Sequence, residues 1–116
     1  MKHHKSARKF GRERKGRRAL LRSLARALIG RGAIVTTEAR AKELRPMVER
    51  LVTLGKEDTP ARRRLVSARL GGAARETKQV FAELAPRFEG RAGGYTRITK
   101  MPAGGGRTSA RIAFLE

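Results

Sequence analysis

The sequence predicts an α+β fold in two layers: a small three-stranded sheet with helices packed on one face, preceded by a basic extended N-terminal arm. Three observations carry this reading. Apolar residues recur at helical spacing in four separate stretches, β-branched runs occur once early and twice at the C-terminal end, and the first 18 residues hold nine Lys/Arg with Phe10 as the only large apolar side chain after Met1. The predicted order is α-β-α-α-α-β-β, with residues 1–18 as the arm and 19–116 as one globular domain.

The first helix is expected from Ala19, with Leu20, Leu24, Ala27 and Leu28 forming an oily face and Leu21 beside it. Arg18, Arg22 and Arg26 repeat every four residues and fall on the opposite side at about 100° per residue. Gly30 and Gly32 end this helix. Ala33-Ile34-Val35-Thr36-Thr37 reads as a strand, after which Thr37 is placed to cap a second helix with Glu38 in its first turn. That helix buries Leu44, Met47, Val48, Leu51 and Val52, is expected to bend or split at Pro46, and stops at Gly55. Thr59-Pro60 starts a third helix running to about Leu70, and Gly71-Gly72 punctuates it. A fourth, from about Ala73 to Ala85, carries Thr77, Val80, Phe81 and Leu84 on one face and is terminated by Pro86. Runs Tyr95–Met101 and Ala110–Leu115 form a hairpin with a glycine-rich tip, and Ile34 and Val35 pair with it because one strand cannot stand alone.

With 29 Lys+Arg against 10 Asp+Glu, the chain has a formal charge of +19 and a pI near 11.9. Self-repulsion on that scale calls for a polyanion. Arginine outnumbers lysine 21 to 8, which favours forked phosphate contacts and stacking. Membrane phospholipid is the weaker candidate, because a surface helix needs bulky anchors and there is no Trp and only four Phe. No apolar run reaches the roughly 20 residues of a membrane span, and no secretory h-region follows the basic start.

Chemical motifs are absent in an informative way. Cysteine is missing, so disulfides, thiolate metal sites and cysteine nucleophiles are excluded. Gly11 and Gly16 have phosphate-loop spacing, but Arg17-Arg18 stands where Lys-Ser/Thr is needed and no strand precedes. His3 and His4 are the only imidazoles, too few for a zinc site. Glu38, Glu43 and Glu49 scatter around their helix rather than converge on paired ions. Glu38 with Lys42, and Arg45 with Glu49, are spaced for surface ion pairs instead. The sequence thus predicts no enzyme, no metal, no cofactor and no small-molecule substrate. Helix-turn-helix, zinc-finger and aromatic single-strand RNA signatures are also missing, leaving recognition by shape and phosphate.

Three segments resemble the bacterial large-subunit ribosomal protein L-seventeen family: Met1-Lys2-His3-His4-Lys5-Ser6-Ala7-Arg8-Lys9-Phe10, then Thr36-Thr37-Glu38-Ala39-Arg40-Ala41-Lys42-Glu43-Leu44-Arg45-Pro46, then Leu84-Ala85-Pro86-Arg87-Phe88 with Arg91-Ala92-Gly93-Gly94-Tyr95-Thr96-Arg97-Ile98. The resemblance implies a structural, non-catalytic protein of the cytoplasmic ribosome, bound to large-subunit ribosomal RNA near the peptide exit tunnel among neighbouring ribosomal proteins. On that reading Lys2, Lys5, Arg8, Lys9, Arg12, Arg14, Lys15, Arg17 and Arg18 contact phosphates. His3, His4 and Tyr95 stack on or hydrogen-bond to RNA. Arg22, Arg26, Arg45, Arg62, Arg63 and Arg97 add contacts from the body. Arg87, Arg91 and the run Arg62–Arg64 are further cationic clusters. The competing reading from charge alone is a DNA-binding architectural protein, with Phe10 as its one candidate wedge in the arm.

Overall fold

Thr37 closes one element and opens the next: its side-chain oxygen accepts from the Arg40 backbone N–H at 3.3 Å, capping the helix that follows the first strand. A computed structural model describes the backbone of residues 2–102 and 108–116, with side chains from Arg14 onward among them. Helix α1 spans Lys2–Arg31, β1 Ala33–Thr37, α2 Glu38–Gly55 and α3 Pro60–Arg69. Helix α4 begins as Ala74–Gln79, widens into a π-helical segment Val80–Leu84 and ends as Ala85–Arg87. Strands β2, Thr96–Met101, and β3, Ser109–Phe114, complete the chain. Of the predicted glycine-rich tip, 102–109, residues 103–107 lie outside the described residues.

The sheet is antiparallel in the order β1-β3-β2, so the last strand of the chain is central. Ile34, Ile112 and Ile98 stand level across it, and with Ala110 and Phe114 they turn one face to the helices. The predicted two-layer α+β arrangement is therefore the observed one. Between the layers lie Leu28, Leu44, Val48, Leu51, Val66 and Val80, all with no exposed surface.

Four expectations are corrected. First, the leader's backbone is helical from Lys2, not extended up to Ala19. Lys, Arg, Ala and Glu are good helix formers, and lengthening a helix already packed at residues 25–29 avoids a second nucleation step. Second, the buried stripe of α1 is Ala25, Leu28 and Ile29, with Leu21 and Leu24 only partly covered. That stripe is rotated about a quarter turn from the predicted one, so Arg22 and Arg26 flank the core instead of opposing it. Third, Pro46 does not split α2, which continues through it as one element. Pro46 and Lys42 are both exposed, so water can satisfy the carbonyl that the missing N–H leaves free.

Fourth, Pro86 lies inside the last turn of α4 instead of ending the helix before it. The π segment explains how. The Ala85 N–H bonds five residues back to Val80, and this widened turn makes room for the proline ring where an α-helical carbonyl would clash. The same segment meets Gly55, the last residue of α2, where the helix is expected to stop. A Cβ built there would lie 2.8 Å from Val80 Cγ1 and 3.2 Å from Ala85 Cβ, so glycine is what allows the two backbones to approach.

Candidate nucleic-acid interface

Alternation along the edge strand β2 and the central strand β3 sets the first part of the site. Residues 97 and 99 on β2 lie opposite 113 and 111 on β3, and their side chains leave the sheet on the face away from Ile98 and Ile112. Arg97 and Arg111 are therefore diagonal neighbours on the outer face. The C-terminal end of α1 brings Arg31, the end of α4 brings Arg87, and the loop after it brings Arg91. These five arginines line one open cleft of about 960 Å³, with Glu116 as the one acidic residue among its described lining residues. Among the described residues none of the five makes an ion pair with a carboxylate. Arg91 donates to the Gly93 carbonyl at 3.2 Å, and Arg87 lies over the Phe88 ring at 5.9 Å.

Most arginines favoured from the sequence of the body do other work. Arg26 donates to the Leu70 carbonyl at 3.0 Å, satisfying the negative C-terminal end of α3. Arg62 donates to the Leu54 carbonyl in the last turn of α2 at 3.3 Å and pairs with Glu57 at 3.0 Å. Arg45 donates to the Thr96 carbonyl at 3.2 Å and reaches Glu49 at 3.5 Å, while Glu49 also accepts from the Thr96 backbone N–H and hydroxyl. Arg63 forks onto Asp58 at 2.6 and 2.8 Å and covers the Phe81 ring at 5.1 Å. These four cations staple elements together. Of the body set, Arg97 stands in the open cleft and Arg22 on the flank of α1.

Tyr95 is a correction. It is 1% exposed, its ring packs against Phe88 at 5.1 Å, and its hydroxyl shares a 3.0 Å hydrogen bond with Thr53. No face of the ring is open to a base, so Tyr95 is a core residue. Gly93-Gly94 ahead of it gave no hint of this, since an aromatic beside glycines suits a surface platform equally well. Arg14, Lys15, Arg17 and Arg18 are exposed along α1, with Arg17 reaching Glu43 at 4.0 Å. The side chains of Lys2, His3, His4, Lys5, Arg8, Lys9, Arg12 and Phe10 lie outside the described residues. Arg31 and Arg111 were missed; two-residue alternation in Ala110–Leu115 would have pointed Arg111 outward.

The same contacts shift the carboxylates they engage. The hydrogen bond from Arg63 holds the Asp58 carboxyl below its usual range, and Asp58 in turn raises Arg63. Lys42, hydrogen-bonded at 3.1 Å, likewise lowers Glu38, with Lys100 adding to the effect. Both predicted i,i+4 pairs, Glu38–Lys42 and Arg45–Glu49, are formed.

Comparison with known proteins decides the family. The model of the family described as ribosomal protein L17 matches residues 20–116. The chain belongs to the ribosomal protein L17 family. Relatives named large ribosomal subunit protein bL17 include one from Thermomicrobium roseum, 47% identical, with 99% of each chain covered. One from Persephonella marina is 44% identical over all of this chain and 94% of its own. A third, from a Hydrogenobaculum species, is 47% identical over all of this chain and 98% of its own. L17-family proteins are structural ribosomal proteins and not enzymes.

Proposed function

We propose that this L17-family protein is a structural constituent of the large subunit of the cytoplasmic ribosome, holding ribosomal RNA on the five-arginine cleft and on the basic length of α1. Its place is near the peptide exit tunnel, beside other ribosomal proteins. The carrying observation is the cleft itself: five guanidiniums from five separate segments converge there, and among the described residues none of them is paired with a carboxylate. Such an assembly is costly in an unliganded protein, and forked donors match phosphate oxygens. The relatives' names, which place those proteins in the large subunit, support the same reading.

Binding of large-subunit RNA fragments, measured across a salt series, tests it. Arg97→Ala with Arg111→Ala should leave the circular dichroism spectrum intact. Each lost phosphate contact should make the salt slope shallower by about 0.7 to 0.9. Equal affinity of the double variant and the parent, or tighter binding to duplex DNA than to ribosomal RNA, would overturn the proposal. Cross-links from the cleft to RNA at the tunnel exit test the location.

A further inference from the structure

A second concavity of about 500 Å³ lies where α1, α2 and α3 meet, away from the arginine cleft. Its floor is apolar: Leu21 from α1, Met47 from α2 and Ala68 from α3. Leu21 and Met47 are only partly covered by the core. Cations rim it on both sides, with Lys15, Arg18 and Arg22 along α1 and Arg69 at the end of α3. Among the described residues no acidic one lines it, and none of the four cations is in an ion pair.

We propose that this groove receives a single unstacked ribonucleotide of the RNA that the protein binds, its base over Met47 and Leu21 and its two flanking phosphates on the cationic rims. The proposal rests on the RNA-binding reading above and adds a site of different character. A nucleotide is the occupant whose chemistry matches the layout: one flat ring of low polarity with an anionic phosphate on either side of it. The methionine sulfur is polarisable and adapts to an aromatic ring. Arginine adds a planar group that stacks on a base as well as a fork for phosphate. An acidic peptide would bring its carboxylates on separate side chains and has no reason to place them on both sides of one apolar floor.

Reconstituted large subunits containing the full chain, with Leu65, one turn before Ala68 on α3 and outside the groove lining, replaced by photoreactive benzoylphenylalanine, provide the test. Leu65 is exposed, so the replacement should neither disturb packing nor fill the groove. The expected result is a cross-link to one nucleotide, or two adjacent ones, in an unpaired RNA position. A cross-link to a protein, a spread over duplex RNA, or no cross-link overturns the inference. Met47→Glu, which sets a carboxylate among the phosphates, should weaken RNA binding about tenfold, as like charges at close quarters do, whereas Met47→Leu should leave it unchanged. Should Met47→Glu bind as well as the parent while the Arg97/Arg111 variant loses affinity, this site alone is refuted. Should neither variant lose affinity, the RNA-binding reading fails with it.

Discussion

Asp58 accepts two hydrogen bonds from one guanidinium, and this local fact decides the availability of a cation that charge counting offers to RNA. Both partners are about half exposed, so the pair is screened and its contribution to stability is small. Its pH dependence is nevertheless diagnostic. Asp58 titrates lower in the folded chain than in the unfolded one because Arg63 bonds to the ionised form. The pair's contribution is therefore complete above the unfolded carboxylate range and is lost as pH falls through the folded value. A carboxyl-carbon NMR titration should place the Asp58 midpoint below that of the same residue in Arg63→Gln. Coincident midpoints would show that the fork does not form in solution. The Glu38–Lys42 and Arg45–Glu49 spacings are legible because a helix fixes its own i,i+4 neighbours. The reach of Arg26 to Leu70 and of Arg62 to Leu54 is not, since it depends on how helices meet.

At the scale of elements, α1 shows where periodicity stops being enough. Leu20, Leu21, Leu24, Ala27 and Leu28 occupy so much of the circumference that several orientations bury an apolar stripe. Packing against β1, α2 and α4 selects the one centred on Ala25, Leu28 and Ile29. Leu28→Ala should accordingly cost roughly 2 to 5 kcal/mol in urea unfolding, the usual range for a fully buried leucine. Leu24→Ala, at a partly covered position, should cost clearly less. The reverse ranking would mean that the stripe predicted from spacing is the buried one. Caps were readable for the opposite reason: Thr37 and Thr59 accept from N–H groups three residues ahead, which is wholly local chemistry. The π segment ahead of Pro86 was not readable, because proline alone does not say whether a helix ends or widens.

The whole molecule combines a core confined to one end of its longest helix with a charge of +19. Its radius of gyration, 15.8 Å, exceeds the about 13 Å of a compact domain of this length, as a 30-residue helix about 45 Å long requires. Among the described side chains, which begin at Arg14, every buried apolar residue lies at Ala25 or beyond. Deleting residues 1–15 should therefore leave the thermal unfolding transition of the remainder cooperative and little shifted. It removes seven of the 29 Lys/Arg, so RNA affinity should fall and the salt slope become shallower by up to about five or six. An unchanged slope would remove the leader from the interface; loss of cooperative unfolding would make it part of the core.

What the sequence determined by itself is whatever a short stretch of chain decides alone: element order, caps, strand alternation, surface ion pairs and the excess of positive charge. Tertiary structure decided the division of labour among the arginines. A guanidinium becomes a staple if packing brings a bare carbonyl or a carboxylate within its reach, and it stays open to phosphate if packing gathers it with others of its kind. Arg26 and Arg31 are five residues apart on one helix, and only the neighbours supplied by the fold separate the first role from the second.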